Sequence, residues 1–329
     1  MPHVLVAGRI HDAGLNLLRS ASGLTFDLVE EVSTDSYAPL IEHADAVLIR
    51  TQPMPASVIN AAPRLKIVSR HGVGFDAVDV AALNKRGIPL AIVGDVNSRS
   101  VAEHTMMLIL SLAKRTLAYD AKTRESEWNY RNSFEATELA GKTLLLLGFG
   151  RIGRSVAKLA EAFGMEILVH DPFVDETAIR STGAVPAPDL SSALAQADVI
   201  SVHIPLSAGG ALIGAPELAK LKPTAVVVNT ARGGLIDEEA LAAAIEAGRL
   251  AGAGLDVFTT EPPPHDHRLF SNDRVILSPH SAGLTRESAI RMSVSAVQNI
   301  LDFFSGSLDP KLVVNADSVS PSAQELMRA

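Results

Sequence analysis

Three residues of suitable chemistry stand just beyond apolar runs. Val226-Val227-Val228-Asn229 leads into Thr230-Ala231-Arg232-Gly233-Gly234, Leu255-Asp256-Val257-Phe258 leads to Glu261-Pro262, and Val275-Ile276-Leu277-Ser278 leads through Pro279 to His280. In an open α/β sheet, ligands bind beyond the carboxyl ends of the strands, so polar residues at those ends come first. Reducing a 2-oxo acid needs a cation for the carboxylate and carbonyl and an acid that protonates the new alkoxide. A histidine with a carboxylate partner supplies the second, because the carboxylate raises the imidazole's proton affinity and fixes its tautomer. Arg232, Glu261 and His280 have these types. Each alone also fits an ordinary role, as a surface ion pair, a loop acid or a turn histidine; as a set they form a reductive site.

A second pattern concerns phosphate. The strand-like Thr143-Leu144-Leu145-Leu146-Leu147 runs into Gly148-Phe149-Gly150-Arg151-Ile152-Gly153, and a helical pattern with Ile152, Val156, Leu159, Ala160 and Phe163 on one side follows. A bare GxGxxG is weak; strand, turn and helix in this order make it a dinucleotide turn. Gly148 allows the tight turn, Gly150 lets a pyrophosphate approach the backbone, and Gly153 lets the helix pack close to the strand. The helix N-terminus faces the anion with free N–H groups. The next strand, Glu166-Ile167-Leu168-Val169-His170, ends in Asp171, placed as a ribose-binding acid that repels a 2′-phosphate. The expected cofactor is NAD. Arg151 and Arg154 either touch phosphate or form a solvated helix face. His203 and Pro205 end another strand-like run, either lining the cofactor cleft or packing, and Thr230 and Ala231 precede Arg232 at a further strand end. His265-x-His267 lacks a third ligand in its proline-rich surroundings and reads as an exposed loop. Met106 and Met107 read as packing residues of an apolar helix.

These groups need a frame. Apolar β-type runs at 3–7, 26–30, 44–50, 65–70 and 89–93, and again from 143 through 166–169, 199–204, 225–229, 251–257 and 274–277, alternate with helical patterns. That reads as parallel α/β in two units with a cleft between them. Ser100-x-x-Glu103 has capping-box spacing, and Val101, Thr105, Leu108, Ile109 and Leu112 recur on one face of the helix it would open. Ile290, Val294, Val297, Leu301 and Phe304 mark a second long helix that carries the chain back. The expected domains are residues 1–98 plus 284–329, for substrate, and 99–283, for the dinucleotide. The tail after Asn315 reads as loosely ordered.

Composition narrows the function. A chain of 329 residues, 47% hydrophobic and with net charge −8, is a globular protein that lacks the basic surface of a nucleic-acid binder or of a partner for anionic membranes. With no cysteine, disulfides, thiolate metal sites and a cysteine nucleophile are excluded. The N-terminus runs directly into a strand with no signal-peptide pattern, and no apolar stretch has the length of a membrane span, so the cytoplasm is expected.

The chain resembles the D-isomer-specific 2-hydroxyacid dehydrogenases, particularly their D-3-phosphoglycerate dehydrogenase and hydroxypyruvate reductase branches. The resemblance covers residues 50–315 and is carried by His71-Gly72-Val73-Gly74-Phe75-Asp76, Asn97-Ser98-Arg99-Ser100-Val101-Ala102-Glu103-His104, residues 147–153, His170-Asp171-Pro172, residues 229–237, residues 254–262 and Ser278-Pro279-His280-Ser281-Ala282-Gly283. It implies two doubly wound parallel-sheet domains, a Rossmann-like NAD domain inserted in a flavodoxin-like substrate domain. It implies Arg232 as substrate-binding cation, Glu261 as partner and His280 as general acid/base. Backbone N–H groups of Val73 and Gly74 would hold the substrate carboxylate, with Asn97 in the same substrate region, and Asp256 would lie near the nicotinamide carboxamide. It also implies a homodimer in which the segment 119–134, with Arg131, reaches across.

Some features depart from the pattern. Gly94-Asp95-Val96 stands where relatives commonly have proline and glycine, and Ser281 replaces a bulkier residue. Without the regulatory domains that follow in longer phosphoglycerate dehydrogenases, serine feedback is not expected. Arg50 and Arg70 end adjacent first-domain strands, where two guanidinium groups would clamp a distal phosphate. Alternatively they pair with Asp76 or Asp95 and leave a pocket for glyoxylate or hydroxypyruvate. A nucleotide-sensing, corepressor-like binding protein is the reading from another class. Formate dehydrogenases pair their histidine with glutamine, which Glu261 does not match.

Overall fold

A computed structural model describes residues 1–206 and 210–325, the side chains of 322 and 325 excepted. The chain forms two compact units, Met1–Asn97 with Leu284–Ala329, and Ser98–Gly283.

The first unit is built on β1 (His3–Ala7), β2 (Thr25–Val29), β3 (Ala46–Ile49), β4 (Ile67–Arg70) and β5 (Leu90–Ala91). All pairings are parallel, in the order β2-β1-β3-β4-β5. This is the flavodoxin-like order, and it reverses between β1 and β3. All four residues of β3 are buried, as a central strand covered on both faces requires. Helices Asp12–Ser20 and Arg286–Ser305 cover one face through Leu15, Leu18, Met292, Ala296, Ile300 and Phe303. Ala56–Asn60 and Val80–Arg86 cover the other through Val58, Ile59, Ala82 and Leu83.

The second unit holds β6 (Thr143–Leu147), β7 (Glu166–His170), β8 (Val185–Pro186), β9 (Val199–Val202), β10 (Val226–Asn229), β11 (Gly252–Leu255) and β12 (Val275–Leu277). Its sheet is also parallel, ordered β12-β11-β10-β9-β6-β7-β8, and it reverses between β6 and β9. It is the Rossmann order with one added edge strand. Ser98–Ala113 and Arg151–Ala162 lie on one face, Leu190–Gln196 and Glu238–Glu246 on the other.

Four expectations are corrected. Ser100 is not the N-cap: the helix starts two residues earlier, at Ser98, and Glu103 pairs with Arg99 at 2.8 Å. Met106 is buried, but Met107 is 40% exposed. The Arg286–Ser305 helix is turned relative to the apolar pattern. Its fully buried stripe includes Ser288, Ser293 and Asn299, while Ile290, Val294, Leu301 and Phe304 are half-buried. The buried polar groups are satisfied locally, with Ser293 Oγ accepting from His11 N–H at 2.9 Å and Asn299 donating to the Ile92 carbonyl at 3.1 Å. Finally, the chain after Asn315 is packed through residue 325: Val319 and Ala323 are buried, and the Asn315 amide bonds Leu90 N–H, the Ile88 carbonyl and Asn84. No helix among the described residues is long and apolar enough to cross a membrane.

Candidate active site

Because β10, β11 and β12 are adjacent and parallel, the residues that follow them leave the sheet on one edge. This is why Arg232, Glu261 and His280, far apart in sequence, are brought together. His280 Nδ1 lies 2.6 Å from Glu261 Oε2, a short bond that puts the ring proton on Nδ1 and turns Nε2 outward. Burial raises the Glu261 carboxyl, but the His280 bond, the Phe258 N–H at 3.1 Å and the charges of His280 and Arg232 outweigh it and hold Glu261 below the ordinary carboxylate range. His280 and Glu261 remain partly accessible, with side chains 50% and 36% exposed, so the pair faces an incoming molecule.

The loops are held by buried polar side chains. Asn229, 2% exposed, donates to the Arg232 carbonyl at 2.8 Å and accepts from Ala231 N–H at 3.0 Å, which shapes the Arg232 turn from within. A Cβ on Gly233 would overlap the Phe258 carbonyl, so only glycine lets the Arg232 and Glu261 loops lie against each other. Arg232 Nη1 donates to the Ala231 carbonyl at 2.6 Å. Thr230 is buried and shares a 2.9 Å hydroxyl bond with Thr105. His280 adopts φ +50°, a left-handed conformation that costs an L-residue about 1 kcal/mol. Its N–H is held by the Asp256 and Ser278 carbonyls at 2.8 and 3.1 Å. The peptide bond Glu261-Pro262 is cis.

Beyond β6, β7 and β9 lies a cradle whose shape fits a dinucleotide. Gly148 has φ +99°, and a Cβ there would come within 2.7 Å of the His203 carbonyl oxygen. A Cβ on Gly153 would overlap the Gly148 carbonyl, whereas one on Gly150 would meet nothing in the chain. Gly150 therefore leaves room for an outside group. The helix that follows has no side-chain cap, so its first N–H groups face that space, with Arg151 exposed and Ile152 half-buried at its start. Arg154 stacks over the Phe149 ring at 4.6 Å. Asp171 accepts Phe149 N–H at 2.8 Å and Phe173 N–H at 2.9 Å, and a carboxylate so engaged keeps lone pairs for ribose hydroxyls. A cavity of about 230 Å³ beside it is walled by Val169, Val174, Ile179 and Pro186. His203 bonds Ser201 through Nε2 at 2.9 Å, and burial pushes its pKa down to about 4; its buried Nδ1 has no partner among the described residues. Pro205 is exposed beyond it. Glycine clearance and an orphaned ring nitrogen fit a bound NAD.

A sequence model described as "D-isomer specific 2-hydroxyacid dehydrogenase, NAD binding domain" matches residues 106–282. The chain belongs to that family. The glyoxylate reductase of Korarchaeum cryptofilum is 35% identical over 320 residues, which cover 95% of this chain and 96% of that protein. The D-3-phosphoglycerate dehydrogenase of Archaeoglobus fulgidus is 37% identical over 98% of this chain, which spans 61% of that protein's length. A crystal structure of D-lactate dehydrogenase from Aquifex aeolicus, complexed with NAD and lactic acid, superimposes with a TM-score of 0.86 at 28% identity, covering 94% of this chain and 98% of that one.

In this member of the family, the first unit gathers its own polar groups at the carboxyl ends of β1, β3 and β4. Arg50 Nη1 donates to the Arg9 carbonyl and Arg70 Nη1 to the His71 carbonyl, both at 2.7 Å. Arg50 is lowered by burial and by Arg9, and no carboxylate of the described residues bonds it; Asp95 is exposed and forms no ion pair there. Of the expected pairings, Arg50 is not bonded to Asp95, and Arg70 and Asp76 each have partners of their own. Between the two arginines, buried His71 bonds Ser293 at 2.9 Å, and burial followed by the charges of Arg50 and Arg70 pushes its pKa down to about 3. Beyond it, the N–H groups of Val73 and Gly74 make no bond to any described residue. Asn97, half-buried, precedes the Ser98–Ala113 helix.

Several site residues escaped sequence reasoning. Arg9 sits beyond β1, by the same strand-end rule that picks out Arg50. Asn229 was read as part of a strand. Asp256 was expected near the carboxamide; both of its oxygens accept donors from residues 278–282, at 2.6 to 2.9 Å. His267 caps a 3-10 turn and bonds Glu238 at 2.9 Å.

Proposed function

We propose that the chain is an NAD-dependent D-2-hydroxyacid dehydrogenase acting on a small 2-hydroxy/2-oxo acid pair. The observation that carries this reading is the 2.6 Å His280–Glu261 contact, set at one sheet edge with Arg232 in a unit that also holds the dinucleotide cradle. When bound, the nicotinamide supplies or accepts the hydride at C2. Arg232 offers its planar fork to the substrate's carboxylate and carbonyl. His280 Nε2 gives a proton to the oxygen on C2 during reduction and takes it back during oxidation. Glu261 stays ionised and holds the ring tautomer through Nδ1. Val73 and Gly74 N–H groups receive the carboxylate, with Asn97 nearby in sequence. Gly148, Gly150, Arg151, Ile152 and Gly153 take the pyrophosphate, and His203, Pro205, Thr230, Ala231 and Asp256 the nicotinamide half. Asp171 takes the ribose and disfavours a 2′-phosphate. A 2-oxo acid screen with NADH and NADPH, with the product's configuration assigned, tests this; no turnover with any 2-oxo acid would leave the binding-protein reading.

Within that class we assign a substrate with a distal phosphate, the phosphohydroxypyruvate/D-3-phosphoglycerate pair. Support comes from Arg50 and Arg70 on either side of a neutral histidine, with Arg9 beside Arg50, which no carboxylate of the described residues bonds. Hydroxypyruvate or glyoxylate is the second reading, favoured because Arg50 and Arg70 each already donate to a backbone carbonyl. The ratio of kcat/KM for phosphohydroxypyruvate over hydroxypyruvate decides. An advantage lost in Arg50→Ala and Arg70→Ala supports the phosphate; no advantage, or one that survives both changes, supports the smaller acids. A homodimer through the region of Leu117, Trp128 and Phe134 is supported by their exposure, 54%, 66% and 85%. Trp128→Glu with light scattering checks it.

A further inference from the structure

We propose that His104 and Ser278 are positioning residues that set His280 through Asp256, an inference that rests on the acid/base reading of His280. His280 stands in a left-handed conformation on the short loop after β12, so something must hold the loop there. The Asp256 carboxylate, 1% exposed, does so with three donors: Ser278 Oγ at 2.6 Å and Ser281 N–H at 2.8 Å to one oxygen, and Ala282 N–H at 2.9 Å to the other. These donors bracket His280 on both sides. Because the Ser278 hydroxyl gives its only proton to Asp256, it accepts from His104 Nε2 at 2.9 Å, and this assigns the His104 proton to Nε2. His104 Nε2 is also 3.8 Å from Asp256 Oδ1, so it backs the same carboxylate.

His104 projects from the second turn of the Ser98–Ala113 helix, whose buried Val101, Thr105, Leu108 and Ile109 anchor it rigidly to the sheet. The chain of contacts thus runs from a packed helix to a hydroxyl, then to a buried carboxylate, then to the backbone on either side of His280. Without the hydroxyl, Asp256 keeps its two backbone donors but loses its shortest bond, and the imidazole gains freedom to leave the line set by Glu261. Misplacing a reacting group by about 1 Å costs turnover up to about 100-fold, and it acts on kcat more than on cofactor binding.

The test is kinetics on Ser278→Ala, Ser278→Thr, His104→Phe, His104→Gln and the double variant Ser278→Ala/His104→Phe, with NADH affinity measured by fluorescence titration and amide exchange at Ser281 and Ala282. Ser278→Ala is expected to lower kcat by about 10- to 100-fold with the NADH dissociation constant within twofold, and to speed exchange at both amides. Ser278→Thr and His104→Gln keep the hydroxyl and the donor and should restore most of the turnover. The double variant should be no worse than Ser278→Ala, because His104 acts through Ser278. Unchanged kcat in Ser278→Ala, a loss expressed as weaker NADH binding, or additive losses in the double variant would overturn the proposal. His280→Ala measured alongside separates the two readings. If it depresses turnover while Ser278→Ala leaves kcat unchanged, the positioning role alone falls; if His280→Ala retains turnover, the acid/base reading falls and takes the positioning role with it.

Discussion

The two units present their strand ends differently. In Ser98–Gly283, each loop that follows β10, β11 or β12 is tied by a buried or half-buried side chain: Asn229 inside the Arg232 turn, Asp256 under the His280 loop, Glu261 on Phe258 N–H and His280. In the other unit, Arg50 and Arg70 donate to backbone carbonyls, and the Val73 and Gly74 amides bond none of the described residues. One set of groups is locked before anything binds, as chemistry that depends on a proton donor's direction requires. The other set leaves the Val73 and Gly74 amides open among the described residues, as recognition of an anion requires. Substitutions in the first set should therefore act on turnover, and those in the second on substrate choice.

The sharpest way to break this contrast is His280→Ala. We expect kcat to fall by about 10²- to 10⁴-fold, the range for a lost general acid, with NADH affinity unchanged by titration. Arg232→Lys should lose about 10²-fold despite keeping the charge, since an ammonium lacks the fork that meets the carboxylate and carbonyl together. Near-normal steady-state rates in Arg232→Lys would reduce its role to simple charge.

The parallel α/β fold and the family were legible because both leave periodic marks: apolar runs buried on both faces, and a glycine turn in strand–turn–helix context. The strand ends bearing Arg232, Glu261 and His280 were legible for the same reason. What escaped was polar and buried. Ser293 and Asn299 lie on the buried face of their helix, so an apolar-only pattern set its face wrongly. Ser100 and Glu103 had capping spacing, but Glu103 had a nearer partner in Arg99. Asn315 looked like the start of a loose tail, yet its amide replaces a strand partner for Leu90. Such residues are chosen by contacts far away in sequence, which no local pattern records.

Smaller effects sharpen the contrast further. Asp171→Ala should narrow the preference for NADH over NADPH by about tenfold in kcat/KM, consistent with removing a charge from the 2′ position. Equal efficiency with both cofactors in the unaltered chain would defeat that. In the first unit, His71 is native only when neutral, with its pKa lowered from 6.5 to about 3. Below pH 6.5 the unfolded chain binds a proton that the folded one refuses. The stabilisation is complete above 6.5 and is lost toward pH 3, at up to about 1.4 kcal/mol per pH unit. His71→Gln should lower the unfolding free energy at pH 7.5, read from urea titration, by about 1 kcal/mol for the lost Ser293 bond, yet flatten the decline between pH 7 and 5. An equally steep decline in the variant would show that His71 does not control it.

The central claim, that His280 and Glu261 act as one acid/base unit, is tested most directly by the pH profile of 2-oxo acid reduction in the unaltered chain and in Glu261→Gln. An ionised Glu261 favours the proton on its partner, and a neutral amide does not. The account expects the pH dependence of the rate to change in Glu261→Gln, because the ionised carboxylate bonded to the imidazole is gone. Superimposable profiles would contradict it.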